Sequence, residues 1–102
     1  MICTEIKQGD ILKIEKTKEP VLVTSKDFFN RSGEIIGCPV FAVSTPGPLH
    51  IYIETDNTKG FVQCDKLKLL DLNVRRFSVK DHLPIKDVMN VTDAIQGIFD
   101  YI

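Results

Sequence analysis

Up to about Leu72 the apolar residues come in short blocks, each cut off by glycine, proline or a polar cluster, and this punctuation restricts the fold more than any other feature of the chain. Blocks of that length read as strands rather than helices. Ile11, Leu12 and Ile14 follow the Gly9-Asp10 turn signal, and the polar run Glu15 to Glu19 then makes a tight charged connection. In the next strand, Pro20 to Ser25, the run Val21-Leu22-Val23 is apolar on both faces, as a central strand requires. Lys26 to Gly33 carries Asp27, Asn30 and Ser32 and reads as a loop in which Phe28 and Phe29 tuck a short turn against the core.

A longer strand run, Glu34 to Thr45, is broken by Ser44-Thr45-Pro46-Gly47-Pro48, because proline cannot donate to a ladder and glycine permits a sharp bend. Leu49, Ile51 and Ile53 then alternate with His50, Tyr52 and Glu54, a period of two that gives this strand a wet side. Asp56 to Gly60 is a turn cluster. Beyond it Phe61, Gln63 and Asp65 share one face and Val62 and Cys64 the other, and Leu67 to Leu72 continues the ribbon.

The period changes at Pro84. Ile85, Val88, Val91, Ile95, Ile98, Phe99 and Ile102 follow helical spacing, and Pro84 suits a first helical position because its missing N–H has no partner to lose there. Five or so short strands and one terminal helix predict a mainly β, α+β fold: a small, strongly curved antiparallel sheet or barrel. With no repeat, linker or low-complexity segment to divide it, the chain is expected to form one domain over residues 1–102. At this size much of the surface stays in water, so burial against a second copy of the chain is favoured.

Charge narrows the function classes. Thirteen Lys and Arg against fourteen Asp and Glu give a formal charge of −1, so nucleic acid could be held by a local patch but not by bulk charge. Cys3, Cys38 and Cys64 are odd in number, far apart and without CxxC spacing, which argues against a disulfide framework or a zinc site and for a reducing, cytosolic setting. The cysteines read as small buried hydrophobes. No stretch approaches the roughly 18 apolar residues needed to span a bilayer.

The order of parts resembles a known family. Gly9-Asp10-Ile11, Pro20-Val-Leu-Val-Thr-Ser25, Phe29-Asn30, Pro39-Val-Phe-Ala-Val-Ser-Thr45, Gly60-Phe-Val-Gln-Cys-Asp65 and Leu70-Asp-Leu-Asn-Val-Arg75 before a closing helix resemble the MazF/PemK/Kid toxins of bacterial toxin–antitoxin modules. The likeness covers nearly the whole chain, and its best piece, GFVQCDKLKLLDLNVR, is similar to the family pattern Gly-x-Val-x-x-Asp-Gln-x-Arg-x-Ile-Asp-x-x-x-Arg. No one motif is diagnostic; the weight rests on their order. The resemblance implies an SH3-like barrel that forms a homodimer, cleaves single-stranded RNA in the cytoplasm without a metal or other cofactor, and is silenced by an antitoxin protein.

Carried over position by position, the resemblance assigns Asp65, Ser44 and Gln63 to catalysis: Asp65 matches the family's carboxylate, Ser44 stands where a Thr is usual, and Gln63 where some members have Arg. Glu19 stands where the family has the Arg directly before the second strand's proline, Lys68 where it often has Arg, and Arg75 matches its closing Arg. Metal-free RNA cleavage needs a base for the 2′-hydroxyl, an acid for the departing 5′ oxygen and cations or donors on the phosphate. Lys16, Lys18, Lys66, Lys68 and Arg75 are the candidate cations, Thr45 and Glu19 flank them, and His50 is of the type that titrates near neutral pH and serves as an acid. Phe61 and Tyr52 offer rings on which unpaired bases stack. The plain readings stand beside these: Asp65 as a turn residue, Ser44 as a cap of its own turn, His50 on a wet face, and the lysines as solvated surface. Two functions are therefore in view, a toxin-like endoribonuclease and a catalytically degenerate barrel that binds RNA or a peptide. The nuclease reading requires Asp65, Ser44 and nearby ammonium groups to meet in one concave pocket.

Overall fold

The computed structural model describes residues 5–99. Its elements are β1 (Asp10–Ile14), β2 (Val21–Val23), the short α1 (Asp27–Asn30), β3 (Glu34–Phe41), β4 (His50–Glu54), β5 (Lys59–Gln63), β6 (Lys68–Asp71), β7 (Phe77–His82) and α2 (Ile85–Phe99). Every ladder is antiparallel, in the order β4-β5-β3-β2-β1-β7, with β6 also paired to β3. This is the expected mainly β architecture with a closing helix. The ladder does not complete a barrel, since β4 and β7 end the path without pairing. The sheet nevertheless curls until the chain just past β4 reaches β7. There the Asn57 backbone N–H donates to the Asp81 carboxylate at 3.1 Å, and the Thr55 hydroxyl donates to the same oxygen. A side-chain clasp thus spans the gap that backbone pairing leaves.

β3 organises the rest. One edge pairs with β2, while the other is divided: Glu34 to Gly37 pair with β6, and Val40 and Phe41 with β5. Alternation along these strands supplies two cores. Leu22, Cys38, Val40 and Val62 point into one, closed by Val88 and Val91 of α2. Val21, Val23 and Ile35 point the other way, against Leu12, Ile14 and Leu70. The Val21-Leu22-Val23 run therefore buries both faces, as its composition demanded, at roughly 1.5–3 kcal/mol of transfer free energy per fully buried aliphatic side chain. β2 and β3 approach closely at Gly37, where a Cβ would meet Val21 Cγ1 at 2.6 Å and the Leu22 carbonyl oxygen at 2.7 Å.

Four expectations are corrected. The ribbon does not run on from β5 into β6: the chain turns after Gln63, with the Lys66 N–H bonded to the Gln63 carbonyl at 3.0 Å, and β6 crosses to the other half of β3. Phe28 does not tuck inward but is 67% exposed, and Asn30 anchors α1 instead, its amide donating to the carbonyls of Ile6 at 3.2 Å and Ser25 at 3.1 Å. β7 was not anticipated, because in a mostly exposed edge strand reading Phe-Ser-Val-Lys-Asp-His the apolar alternation stops after Phe77 and Val79. In α2, Val88 and Val91 are buried with Ala94 and Ile95 packed beside them, whereas Ile85, Ile98 and Phe99 are exposed. The helix begins at Ile85, and the Pro84 carbonyl accepts the Val88 N–H at 3.1 Å. Cys3 and Ile102 lie outside the described residues. No helix among those described is long and apolar enough to cross a membrane.

Candidate functional site

Strand register decides which side chains share a surface, because directly opposed residues of an antiparallel pair project to the same side. His50 opposes Gln63, Tyr52 opposes Phe61, and Phe61 in turn opposes Phe41. Alternation along β3 adds Pro39 and Gly37 to that side. One face of the sheet therefore carries, in order, Gly37, Pro39, Phe41, Phe61 with Tyr52, and Gln63 with His50. Phe61 and Tyr52 pack edge to face at a centroid separation of 5.3 Å, and Tyr52 stays 52% exposed. The wet side expected of the β4 strand is this face.

A linked set of polar groups lies at one end. Gln63, only 3% exposed, donates its side-chain N–H to Ser44 Oγ at 2.8 Å. Ser44 Oγ is 3.2 Å from His50 Nδ1, and His50 Nε2 is 3.5 Å from Asp65 Oδ1. His50 Nδ1 also lies 2.6 Å from the Thr45 carbonyl oxygen, which can only accept, so Nδ1 carries the hydrogen. A Ser-His-Asp acyl-transfer triad is thereby excluded, because the nitrogen beside Ser44 cannot take the serine proton. The proline-rich segment after β3 makes this arrangement possible: it cannot join a ladder, so it folds back and presents Ser44 and Thr45 to the start of β4.

At the other end lies a cleft of about 280 Å³, lined by Lys16, Thr17, Lys18, Glu19, Val21, Gly37, Pro39, Lys68, Leu70 and Arg75. The connection between β1 and β2 forms one wall. Thr17 fixes its turn through the Ile14 carbonyl, bonded to the Thr17 N–H at 3.1 Å and to its hydroxyl at 2.8 Å, and Lys16 takes the left-handed conformation at φ 69°. The Val40 N–H bonds the Pro20 carbonyl at 2.9 Å, which brings the Glu19-Pro20 corner beside the end of β3 that leads into Ser44.

The expectation of one shared pocket gives way to two neighbouring groups on a common face. Asp65, Ser44, Gln63, His50 and Thr45 meet in the polar set; Lys16, Lys18, Glu19, Lys68 and Arg75 meet in the cleft; Lys66 is exposed and lines neither. The turn after Gln63 leads into β6, which sets Lys68 opposite Gly37 in the cleft, while the β1–β2 connection supplies Lys16, Lys18 and Glu19. Residue-by-residue reading missed Gly37, Pro39 and Phe41 as members of this face; the register that reveals them depends on which strands pair. Behind it, burial pushes the Cys38 thiol up to about 12, with Cys64 and Asp65 adding to the shift, and pushes Cys64 up to about 11, with Asp65 again contributing. Among the described residues no group of three or more His, Cys, Asp or Glu stands together as a metal site would.

Residues 7–99 match the model of a family described as PemK-like, MazF-like toxin of type II toxin-antitoxin system. No curated protein matches the chain. Among solved structures, MazE-MazF from Deinococcus radiodurans superposes with a TM-score of 0.86 at 21% identity, covering 95% of this chain and 98% of that one. An endoribonuclease in complex with its cognate antitoxin from a mycobacterial species gives 0.80 at 12% identity, covering 92% and 94%. The Mycobacterium tuberculosis toxin MazF-mt6 gives 0.74 at 16% identity, covering 91% and 98%. At these identities the structural likeness speaks to the fold.

Proposed function

Because the chain belongs to the PemK-like, MazF-like toxin family of type II toxin–antitoxin systems, we propose that it is the toxin of such a module and an endoribonuclease acting on single-stranded RNA. The observation that carries this reading is the common face. A cleft with Lys16, Lys18, Lys68 and Arg75 attracts phosphates, the Tyr52–Phe61 pair offers a stacking platform, and the hydroxyl, imidazole and carboxylate of Ser44, His50 and Asp65 follow on the same side. Stacking on Tyr52 needs an unpaired base, which favours single strands over duplex. Similar folds solved as endoribonucleases support the chemistry, and those solved with MazE or a cognate antitoxin support an antitoxin protein as partner. A homodimer fits the same reading, since exposed Val43, Leu69 and Val74 supply apolar surface that a second copy would cover. The setting is cytoplasmic, where mRNA is the substrate.

Asp65, Ser44 and Gln63 form the catalytic end in this reading, with Lys16, Lys18, Glu19, Thr45, His50, Lys66, Lys68 and Arg75 on the RNA path. Gln63 acts from beneath: its buried amide fills one acceptor site of Ser44 Oγ, whose own O–H donates to the Thr45 carbonyl at 3.2 Å and would have to turn from it to reach a phosphate oxygen. Glu19 favours a second reading. A carboxylate stands in the cleft where the family has a guanidinium, which repels phosphate, so a barrel that binds RNA or a peptide without cutting it is the competing function.

Purified protein incubated with mixed-sequence RNA in EDTA separates the two. New RNA ends are expected, at rates lowered by two orders of magnitude or more in the Ser44→Ala, Asp65→Ala double variant. Retention of RNA in a gel shift with no cleavage, from protein with an intact fold, establishes the binding-only function instead.

A further inference from the structure

We propose that His50 is the proton-transfer residue of this site, its Nε2 taking the proton of the attacking 2′-hydroxyl while Asp65 holds the imidazolium that forms. The inference rests on the RNA-cleaving reading above and names the group that does its chemistry. With Nδ1 donating to the Thr45 carbonyl at 2.6 Å, the neutral ring has its lone pair on Nε2. That nitrogen lies 3.5 Å from Asp65 Oδ1; the His50 side chain is 18% exposed and that of Asp65 43%. The separation exceeds an ordinary hydrogen bond, which leaves Nε2 open to an incoming hydroxyl yet close enough for the carboxylate to stabilise positive charge.

The ring is also fixed. Its backbone opposes Gln63, the Gln63 amide holds Ser44, and Ser44 lies beside Nδ1. Orientation of this kind is what a general base requires. The other groups at hand suit other roles: the cleft lysines are cations, and carboxylates are ordinarily far weaker bases than imidazole at neutral pH. Among the described ionisable groups, the one in contact with the ring is Asp65. Its remaining contacts, the Ser44 hydroxyl and Thr45 carbonyl, are neutral.

In the step itself the 2′ O–H bond breaks and its proton passes to Nε2, while the oxygen's electron pair forms the bond to phosphorus. The bond from phosphorus to the 5′ oxygen breaks, and that oxygen leaves with the pair and takes a proton from water. The imidazolium then returns its proton to the hydroxide so produced. The products are a 2′,3′-cyclic phosphate and a 5′-hydroxyl end.

The test uses the full chain, an end-labelled single-stranded oligonucleotide cut by the wild type, and EDTA, from about pH 5 to about pH 9, the span over which imidazole titrates. His50→Ala is expected to lower the cleavage rate at saturating RNA roughly 10²- to 10⁴-fold, with partial recovery on adding imidazole. Asp65→Asn is expected to keep measurable cleavage but to move the acid limb of the rate–pH profile to lower pH, a shift that a merely structural role would not cause. His50→Ala cleaving at the wild-type rate, or an Asp65→Asn profile with an unmoved acid limb, overturns the proposal. The Asp65→Asn arm decides by itself if circular dichroism shows the alanine variant unfolded. A wild type that cuts nothing removes the nuclease reading as a whole, an outcome distinct from a wild type that cuts and a His50→Ala protein that cuts equally well.

Discussion

Gln63 shows how a side chain acts on a surface it does not itself occupy. Its amide is buried and its N–H holds Ser44, so Gln63→Leu removes the donor that orients the hydroxyl and exchanges a satisfied polar group for an apolar one of similar volume. Expected is a loss of about 1 kcal/mol or less in thermal stability. The accompanying fall in cleavage should be larger than that and should leave RNA retention intact, as single-turnover kinetics and gel shift will show. The thiols beneath give a second test. With burial, Cys64 and Asp65 holding Cys38 up to about 12, and burial and Asp65 holding Cys64 up to about 11, both stay as thiols at neutral pH and are shielded from reagent. Mass spectrometry after alkylation should find both unmodified in the native protein and modified once it is unfolded. Sequence spacing placed Gln63 and Asp65 on one face, but could not show that one would be buried and the other half exposed. That difference arises because Gln63 lies under the Ser44 segment, whereas Asp65 sits on the turn beyond it.

Elements are tied together here at two contrasting junctions, one of backbone and one of side chains. Between β2 and β3 the approach at Gly37 leaves no room for a methyl group, and the atom it would strike at 2.7 Å is a carbonyl oxygen of the ladder, which cannot move aside without breaking that ladder. Gly37→Ala is expected to destabilise the fold by roughly 1–3 kcal/mol in chemical denaturation and to distort the cleft that this residue lines. Between β4 and β7 the link is the Asp81 clasp. The Thr55 hydroxyl, followed by the backbone N–H groups of His82 and Asn57, holds the Asp81 carboxyl below its ordinary value of 3.8. A carboxyl with a depressed folded-state pKa stabilises the protein above its unfolded value, and that stabilisation disappears as pH falls through the folded one. Asp81→Ala should therefore lower the melting temperature at neutral pH and erase part of the wild type's loss of stability below about pH 4, where carboxylates titrate. Neither junction was legible beforehand. Gly37 looked like any strand glycine, and the alternation in β7, Phe77 and Val79 alone, was too short to mark it as the clasp's far side.

Across the whole molecule, four cations gathered in one cleft have a measurable consequence despite the formal charge of −1. RNA affinity should fall steeply with salt, by about −0.7 in logarithmic slope for each phosphate contact on a single strand, and Lys18→Gln or Lys68→Gln should each reduce the slope by about that amount. Fluorescence anisotropy titrations at several salt concentrations will measure it. The strand blocks and terminal helix could be read directly, because alternation and helical spacing are local properties, and the doubly apolar Val21-Leu22-Val23 announced a strand buried on both sides. The division of the candidate groups between cleft and polar set was not local. It follows from β6 leaving β5 and crossing to the far half of β3, a choice made by pairing and not by any segment's composition. The same choice gives β3 a further role as a ruler. Gly37 marks the basic end and Phe41 the end nearest the polar set, and the four residue-to-residue steps of extended chain from one to the other measure about 13 Å. Because β2 pairs along Gly37 to Pro39 and β5 along Val40 and Phe41, the spacing between the cleft and the polar set is set by the backbone ladder, so on the proposed reading the reach from a gripped nucleotide to the bond to be cut would not adjust to the substrate.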